Sequence, residues 1–175
     1  MAKTSEKIIS GIEALADWQG RVVSWLILII TGAICYEVVV RYVFSNPTDW
    51  AYEFTSMVYG AYTMLLGAYT LRHEGHIRMD VVYHRFSRRT QIRVDFVTNL
   101  LALGFLIIFF VTVVKFAISS WEIREFSGSS TWAAPLYPFK TVMALGVLFL
   151  LLMQIAVIYR NVVLLKQKED VPVKV

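Results

Sequence analysis

Near the middle of the chain, in RHEGHIRMD, His73 and His76 stand three residues apart, with Glu74 between them and Asp80 four residues beyond the second. Imidazoles and carboxylates this dense are the donors of a zinc or iron site, which would make the segment catalytic. The spacing argues against it. A helical zinc motif places its histidines four apart on one face, as H-E-x-x-H. Here Gly75 interrupts the pair and weakens any helix through it. His84 offers a third ligand, but Arg72, Arg78 and Arg85 crowd the same place, and their field opposes a dication. The segment therefore reads as a polar helix end and loop that binds no metal. The apolar runs contain no histidine to serve as a haem ligand, and no Ser-His-Asp set, nucleophile motif or phosphate loop appears. The chain is read as having no cofactor and no catalytic residue, so it is not an enzyme.

A second set could do chemistry of another kind. Glu37, Arg41 and Glu53 lie within apolar runs, where ionisable groups are costly and point to function by default. Glu37 and Arg41 are i, i+4 in the favourable order for a helical ion pair. Glu53 follows at comparable depth after the short turn SNPTDW, in which Thr48 or Asp49 can cap the next helix. Two readings stand side by side. The three charges tie the first helix to the second, with Arg41 meeting Glu53, or they contact another membrane subunit. An ion-coupling site is the weaker alternative, because one arginine between two acids leaves little free carboxylate.

The elements that must position these residues are apolar. Hydrophobic residues make up 57% of the chain and charged residues 17%, against about a quarter charged in an average soluble domain. The excess falls in four blocks, at 22–44, 50–71, 96–114 and 141–159, each near the ~20 residues a helix needs to cross a bilayer. A soluble bundle this short has too little protein to wrap four helices that are apolar all round. The chain is thus expected to be a single all-α integral membrane domain, 1–175. Its four transmembrane helices are expected at about 22–44, 50–71, 94–116 and 137–160. The acidic residues Glu6, Glu13 and Asp17 before the first block argue against a cleaved signal peptide. Cys35 is expected to be a small buried residue.

Lys3, Lys7 and Arg21 precede the first block, and Arg72, Arg78, Arg85, Arg88, Arg89 and Arg93 lie between the second and third. Arg160, Lys166, Lys168 and Lys174 follow near the end. The positive-inside rule then places both termini and the central loop in the cytoplasm. The formal charge of +4 is a topology and lipid signal rather than a nucleic-acid footprint.

Two short amphipathic stretches are expected to lie at the interface. One carries Met79, Val82, Tyr83 and Phe86, and the other, near the start, carries Ile8, Ile12 and Leu15. Gly60, Gly67 and Ala68 in the second block suit a close helix–helix approach. The longest outer segment, about 116–139, carries Trp121, Glu122, Arg124, Glu125 and Trp132, the aromatic and charged mixture of partner contacts.

These residues, in this order, resemble the small membrane subunit, the DctQ family, of tripartite ATP-independent periplasmic (TRAP) transporters. The matching positions are Arg41, Phe44, Pro47, Trp50, Glu53, Gly67, Ala68, Gly75, His76, Ile77, Arg78 and Asp80. His73, Glu74 and Glu37 fall outside the pattern. The resemblance implies a bacterial inner-membrane protein and two partners, a large DctM-like membrane subunit and a periplasmic DctP-like binding protein. It implies sodium-coupled uptake of an organic acid, with the small subunit as scaffold and membrane lipids around it. The competing reading is a self-contained proton-coupled transporter, a homodimer of four-helix subunits switched by Glu37 or Glu53.

Overall fold

The computed structural model describes residues 2–73 and 88–169, and within them the chain is helical with no strand. Glu74, Gly75, His76, Ile77, Arg78, Asp80, His84 and the stripe from Met79 to Phe86 lie outside the described residues. Five helices follow in order: α1 Ala2–Ser24, α2 Leu26–Tyr42, α3 Ala51–Arg72, α4 Arg88–Glu122 and α5 Leu136–Glu169. Apolar side chains in lipid leave the backbone no water to bond, so intrahelical hydrogen bonding is the available solution.

Among the described residues, three stretches are long and apolar enough to cross a membrane, Glu6–Tyr42, Val94–Glu122 and Leu136–Val163. The last two match the expected third and fourth blocks, although α4 and α5 run beyond them. The first does not match its block. Helix begins far upstream of residue 22 and is interrupted only at Trp25, whose N–H bonds Val22 O at 3.3 Å and whose carbonyl takes Leu28 N–H at 3.1 Å. Just before it, the Ser24 hydroxyl bonds back to Gly20 O at 2.7 Å, a contact that bends helices. At about 1.5 Å per residue, 37 residues reach roughly 55 Å against a core of roughly 30 Å, so part of α1 must leave the hydrocarbon.

Helix α3 is less apolar because it carries Thr55, Ser56, Thr63 and Thr70. Each hydroxyl bonds a carbonyl four residues back, on Ala51, Tyr52, Tyr59 and Leu66 respectively. The hydroxyls are thereby satisfied within the helix itself.

Helices α3 and α5 form the centre and run parallel: Gly60 faces Phe139, Gly67 faces Leu150 and Gly146 faces Met64. Thus the small stripe of α3 is covered within the chain by α5. Helix α4 packs antiparallel on α5, with Asn99 beside Gln154 at one end and Trp121 beside Thr141 at the other. Helix α2 packs on the other side of α3, and Ile30 is its one buried residue. Cys35, expected inside, is exposed on that open α2 face. With so little of α2 covered, position in the run says nothing about burial.

Helix α1 lies across the ends of α3 and α5. Ala16, Ala68, Met153 and Ala156 form a core, with Ile9, Ile12, Leu71, Phe149 and Val157 against it. Of the expected interfacial stripe, Ile12 packs on this core while Ile8 and Leu15 are exposed, and Glu13 and Gln19 are buried. Two polar residues face inward because their partners are there: Arg160 for Glu13, and the Leu65 carbonyl, at 2.7 Å, for Gln19 Nε2.

Candidate functional site

The polar residues gather at the two ends of the bundle. At the first end α2 stops at Tyr42 and α3 starts at Ala51. Arg41 Nε donates to Glu37 Oε1 at 2.9 Å, one turn earlier. The Thr48 backbone N–H donates to Glu37 Oε2 at 3.2 Å, and the Thr48 hydroxyl bonds the same oxygen. Glu37 therefore fastens the turn 43–50 onto α2. Thr48 and Asp49 do not cap α3; Trp50 stands at that position with no side-chain bond.

Glu53 does not meet Arg41. It is buried, and it accepts a hydrogen bond from the Ser130 hydroxyl. Beside it, Thr131 Oγ1 donates to Asp49 Oδ2 at 2.6 Å. The expected tie between the first two helices is thus two separate ties. Arg41 is within reach of the carboxylate one turn away on its own helix, and Glu53, in the first turn of α3, looks toward the loop 123–135. Neither Ser130, the partner of Glu53, nor Thr131, the partner of Asp49, stands out in the sequence, since nothing local marks residues 77 positions apart as neighbours.

That loop is shorter than the expected 116–139, because α4 extends to Glu122 and α5 begins at Leu136. It is closed by Ser127 N–H to Ala134 O at 2.8 Å and Leu136 N–H to Glu125 O at 2.9 Å. Helix α4 ends with Arg124 N–H on Trp121 O and Glu125 N–H on Ser120 O, the bond pair of a Schellman motif. Arg124 holds the left-handed position, at φ 45°, usually given to glycine.

The five docking candidates separate. Trp121 Nε1 donates to Thr141 Oγ1 at 2.8 Å, and its ring lies 4.5 Å from that of Tyr137. Glu125 pairs with Lys140, whose buried ammonium also sits 3.6 Å from the Phe116 ring centroid. The hydrogen bond from Lys140 holds the Glu125 carboxyl below its ordinary range. A depressed carboxylate contributes stability above its unfolded pKa and loses it as pH falls through the folded one, so this tie is intact at neutral pH. Glu122, Arg124 and Trp132 remain open at the surface, joined by Ile123 and Phe126, which sequence reading passed over.

At the second end Asp17 forms an ion pair with Arg72, Nη1 lying 2.9 Å from Oδ2, and a hydrogen bond with His73 Nε2 at 3.1 Å. His73 also lies against Tyr69, with ring centroids 4.4 Å apart. The first histidine of the central pair is thus engaged with α1 and α3. Gln154 Nε2 donates to Asn99 O and Oδ1 at 3.0 and 2.9 Å, joining α4 to α5.

An expected result follows for the first end. The swap Glu37→Arg with Arg41→Glu should recover part of the stability that either single change loses. Arg41→Glu with Glu53→Arg should recover none. Glu37→Ala should cost more than Arg41→Ala, because Glu37 also holds Thr48. Thermal unfolding midpoints in detergent decide this; rescue by the Arg41/Glu53 swap would refute the assignment.

Residues 30–164 match the family described as tripartite ATP-independent periplasmic transporters, DctQ component. A search of curated proteins finds no match. The family match covers more than three quarters of the 175 residues and contains most of α2, all of α3 and α4, and most of α5. Together with apolar helices long enough to span a bilayer, it establishes that this chain belongs to the DctQ family, as a multi-pass membrane protein and a small permease subunit of a TRAP transporter.

Proposed function

We propose that this subunit braces a large DctM-like membrane subunit while a periplasmic DctP-like protein delivers an organic acid for sodium-coupled uptake. In this reading α3 is the fourth membrane crossing, both termini are cytoplasmic, and the membrane is the bacterial inner membrane. The family match carries the reading. The fold supports it: α2 and α4 present outward rows of large apolar side chains, including Val38, Val39, Leu101 and Ile108, suited to lipid or to another subunit's helices. The ordered loop 123–135 would then face the binding protein through Glu122, Arg124 and Trp132.

The test is reconstitution in vesicles with an imposed sodium gradient. Uptake should require all three components, and the chain alone should move nothing. Sodium-driven uptake by this chain alone would overturn the scaffold reading in favour of a self-contained transporter. Within the complex, Arg124→Gly separates docking from folding. Glycine relieves a left-handed residue, a gain of up to about 1 kcal/mol, while removing the guanidinium. Stability should hold or rise while uptake falls, most steeply at low binding-protein concentration. Unchanged concentration dependence would remove Arg124 from the docking face.

A further inference from the structure

A groove of about 340 Å³ opens between α1 and α5, lined by Glu6, Ile9, Ser10, Tyr159, Arg160 and Val163. Glu6, Ile9, Ser10 and Glu13 recur at i, i+3, i+4 and i+7, so one face of α1 supplies both the groove wall and the carboxylate that holds Arg160. Arg160 Nε lies 2.5 Å from Glu13 Oε1, with a second bond from Nη2 to Oε2. The Glu13 side chain is 8% exposed and that of Arg160 62% exposed. The buried acid thus fixes the guanidinium while leaving most of it open. A guanidinium has five N–H donors; among the described residues, Glu13 is the acceptor Arg160 uses.

The depth of the groove indicates its surroundings. Arg160 follows directly on the charge-free run 141–159 and lines the groove together with Glu6, so the groove lies at the end of an apolar run, at the level of lipid headgroups. Its lining is mostly apolar at Ile9, Tyr159 and Val163, with one cation at Arg160 and, at Glu6, a carboxylate with no partner among the described residues. Counting Glu13 with them, two acids against one arginine leave a net charge of −1. That balance disfavours an anionic headgroup. A headgroup with a phosphate for Arg160 and an N–H-bearing ammonium for Glu6 satisfies both charges; a choline headgroup has no N–H to donate.

We infer that this groove seats an aminophospholipid, with its phosphate on Arg160, its ammonium on Glu6 and an acyl chain along Ile9 and Val163. The inference concerns the chain in its membrane and is independent of the proposed transport partners. It makes α1, which lies wholly outside the family match, a lipid-binding element as well as a packing one.

The experiment is native mass spectrometry of the full chain, purified in detergent. It is titrated with phosphatidylethanolamine, with phosphatidylglycerol of the same acyl chains, and with glycerophosphoethanolamine. Phosphatidylethanolamine should be retained about fivefold better than phosphatidylglycerol, the scale of one partly exposed ion pair. Glu6→Gln should bring that ratio to about one with an unchanged unfolding midpoint, and Val163→Trp should weaken both lipids by filling the groove. Equal retention of the two lipids by the unaltered chain, or a preference that survives Glu6→Gln, would overturn the inference. So would displacement of the lipid by glycerophosphoethanolamine at matching concentration, which would identify a site for a soluble phosphate ester. No partner or transport enters the readout, so failure here leaves the subunit role untouched, and failure of uptake leaves this site untouched.

Discussion

Gly146→Leu should prevent α3 and α5 from packing, and with them the folded subunit. A Cβ at position 146 would stand 2.8 Å from the carbonyl carbon and oxygen of Met64 and 3.1 Å from Leu65 N. These are backbone atoms of a helix, so no rotamer change makes room, and the helices themselves must separate. Overpacking of this kind costs about 1–3 kcal/mol for small intrusions, and a leucine intrudes further than that. Gly146→Ala should already lower the unfolding midpoint. The other glycines give a graded comparison. A Cβ at Gly60 would meet the far end of the Phe139 ring at 3.0 Å, and one at Gly67 would make ordinary contact with Leu150. At Gly104 nothing lies within 4 Å, so Gly104→Ala should gain up to about 1 kcal/mol of helix propensity. The expected order of midpoints is Gly104→Ala highest, then Gly67→Ala, Gly60→Ala and Gly146→Ala. If Gly146→Ala proved as benign as Gly104→Ala, the close crossing of α3 and α5 would be wrong.

This glycine also shows what sequence reading lacks. The apolar runs are long, and lipid leaves their backbone one economical conformation, so the positions of α3 and of the membrane-spanning parts of α4 and α5 were legible. The small residues of α3 could be picked out as a packing stripe. Gly146 carried no such mark, because an isolated glycine in a leucine-rich run does not say which helix it faces. Helix α1 differs: its inward face includes Glu13 and Gln19, polar positions that a search for an apolar stripe does not pick out. The charges followed the same division. Glu37–Arg41 is local, one helical turn, and could be proposed from spacing. Glu53–Ser130, Asp49–Thr131 and Glu125–Lys140 join separate elements or span a loop, and their register depends on where α4 ends and α5 begins. The Schellman end of α4, with arginine in place of glycine, removed the usual signal for that boundary.

Arg160→Gln should destabilise the subunit more than Glu13→Gln does, although the two residues form one ion pair. Their surroundings differ: the Glu13 side chain is 8% exposed and that of Arg160 is 62% exposed. Removing Arg160 leaves a carboxylate enclosed by α1 and α5 without its cation. A buried pair broken in that way typically loses about 3–5 kcal/mol, and the open side of Arg160 brings the expectation toward the lower end. Removing the Glu13 charge instead leaves a guanidinium that can turn to water or a headgroup, and glutamine still offers it an amide oxygen. That change should cost about 1 kcal/mol. The double change Glu13→Gln with Arg160→Gln should be more stable than Arg160→Gln alone, since no unpaired charge is left inside. Thermal unfolding in detergent reads all three, with proteolysis near α1 as a local probe, because the pair joins α1 to α5 and its loss should release α1 first. Equal costs for the two single changes would place Glu13 in water rather than in the bundle. A double variant no better than Arg160→Gln would show that the arginine stabilises the end of α5 by contacts other than this carboxylate.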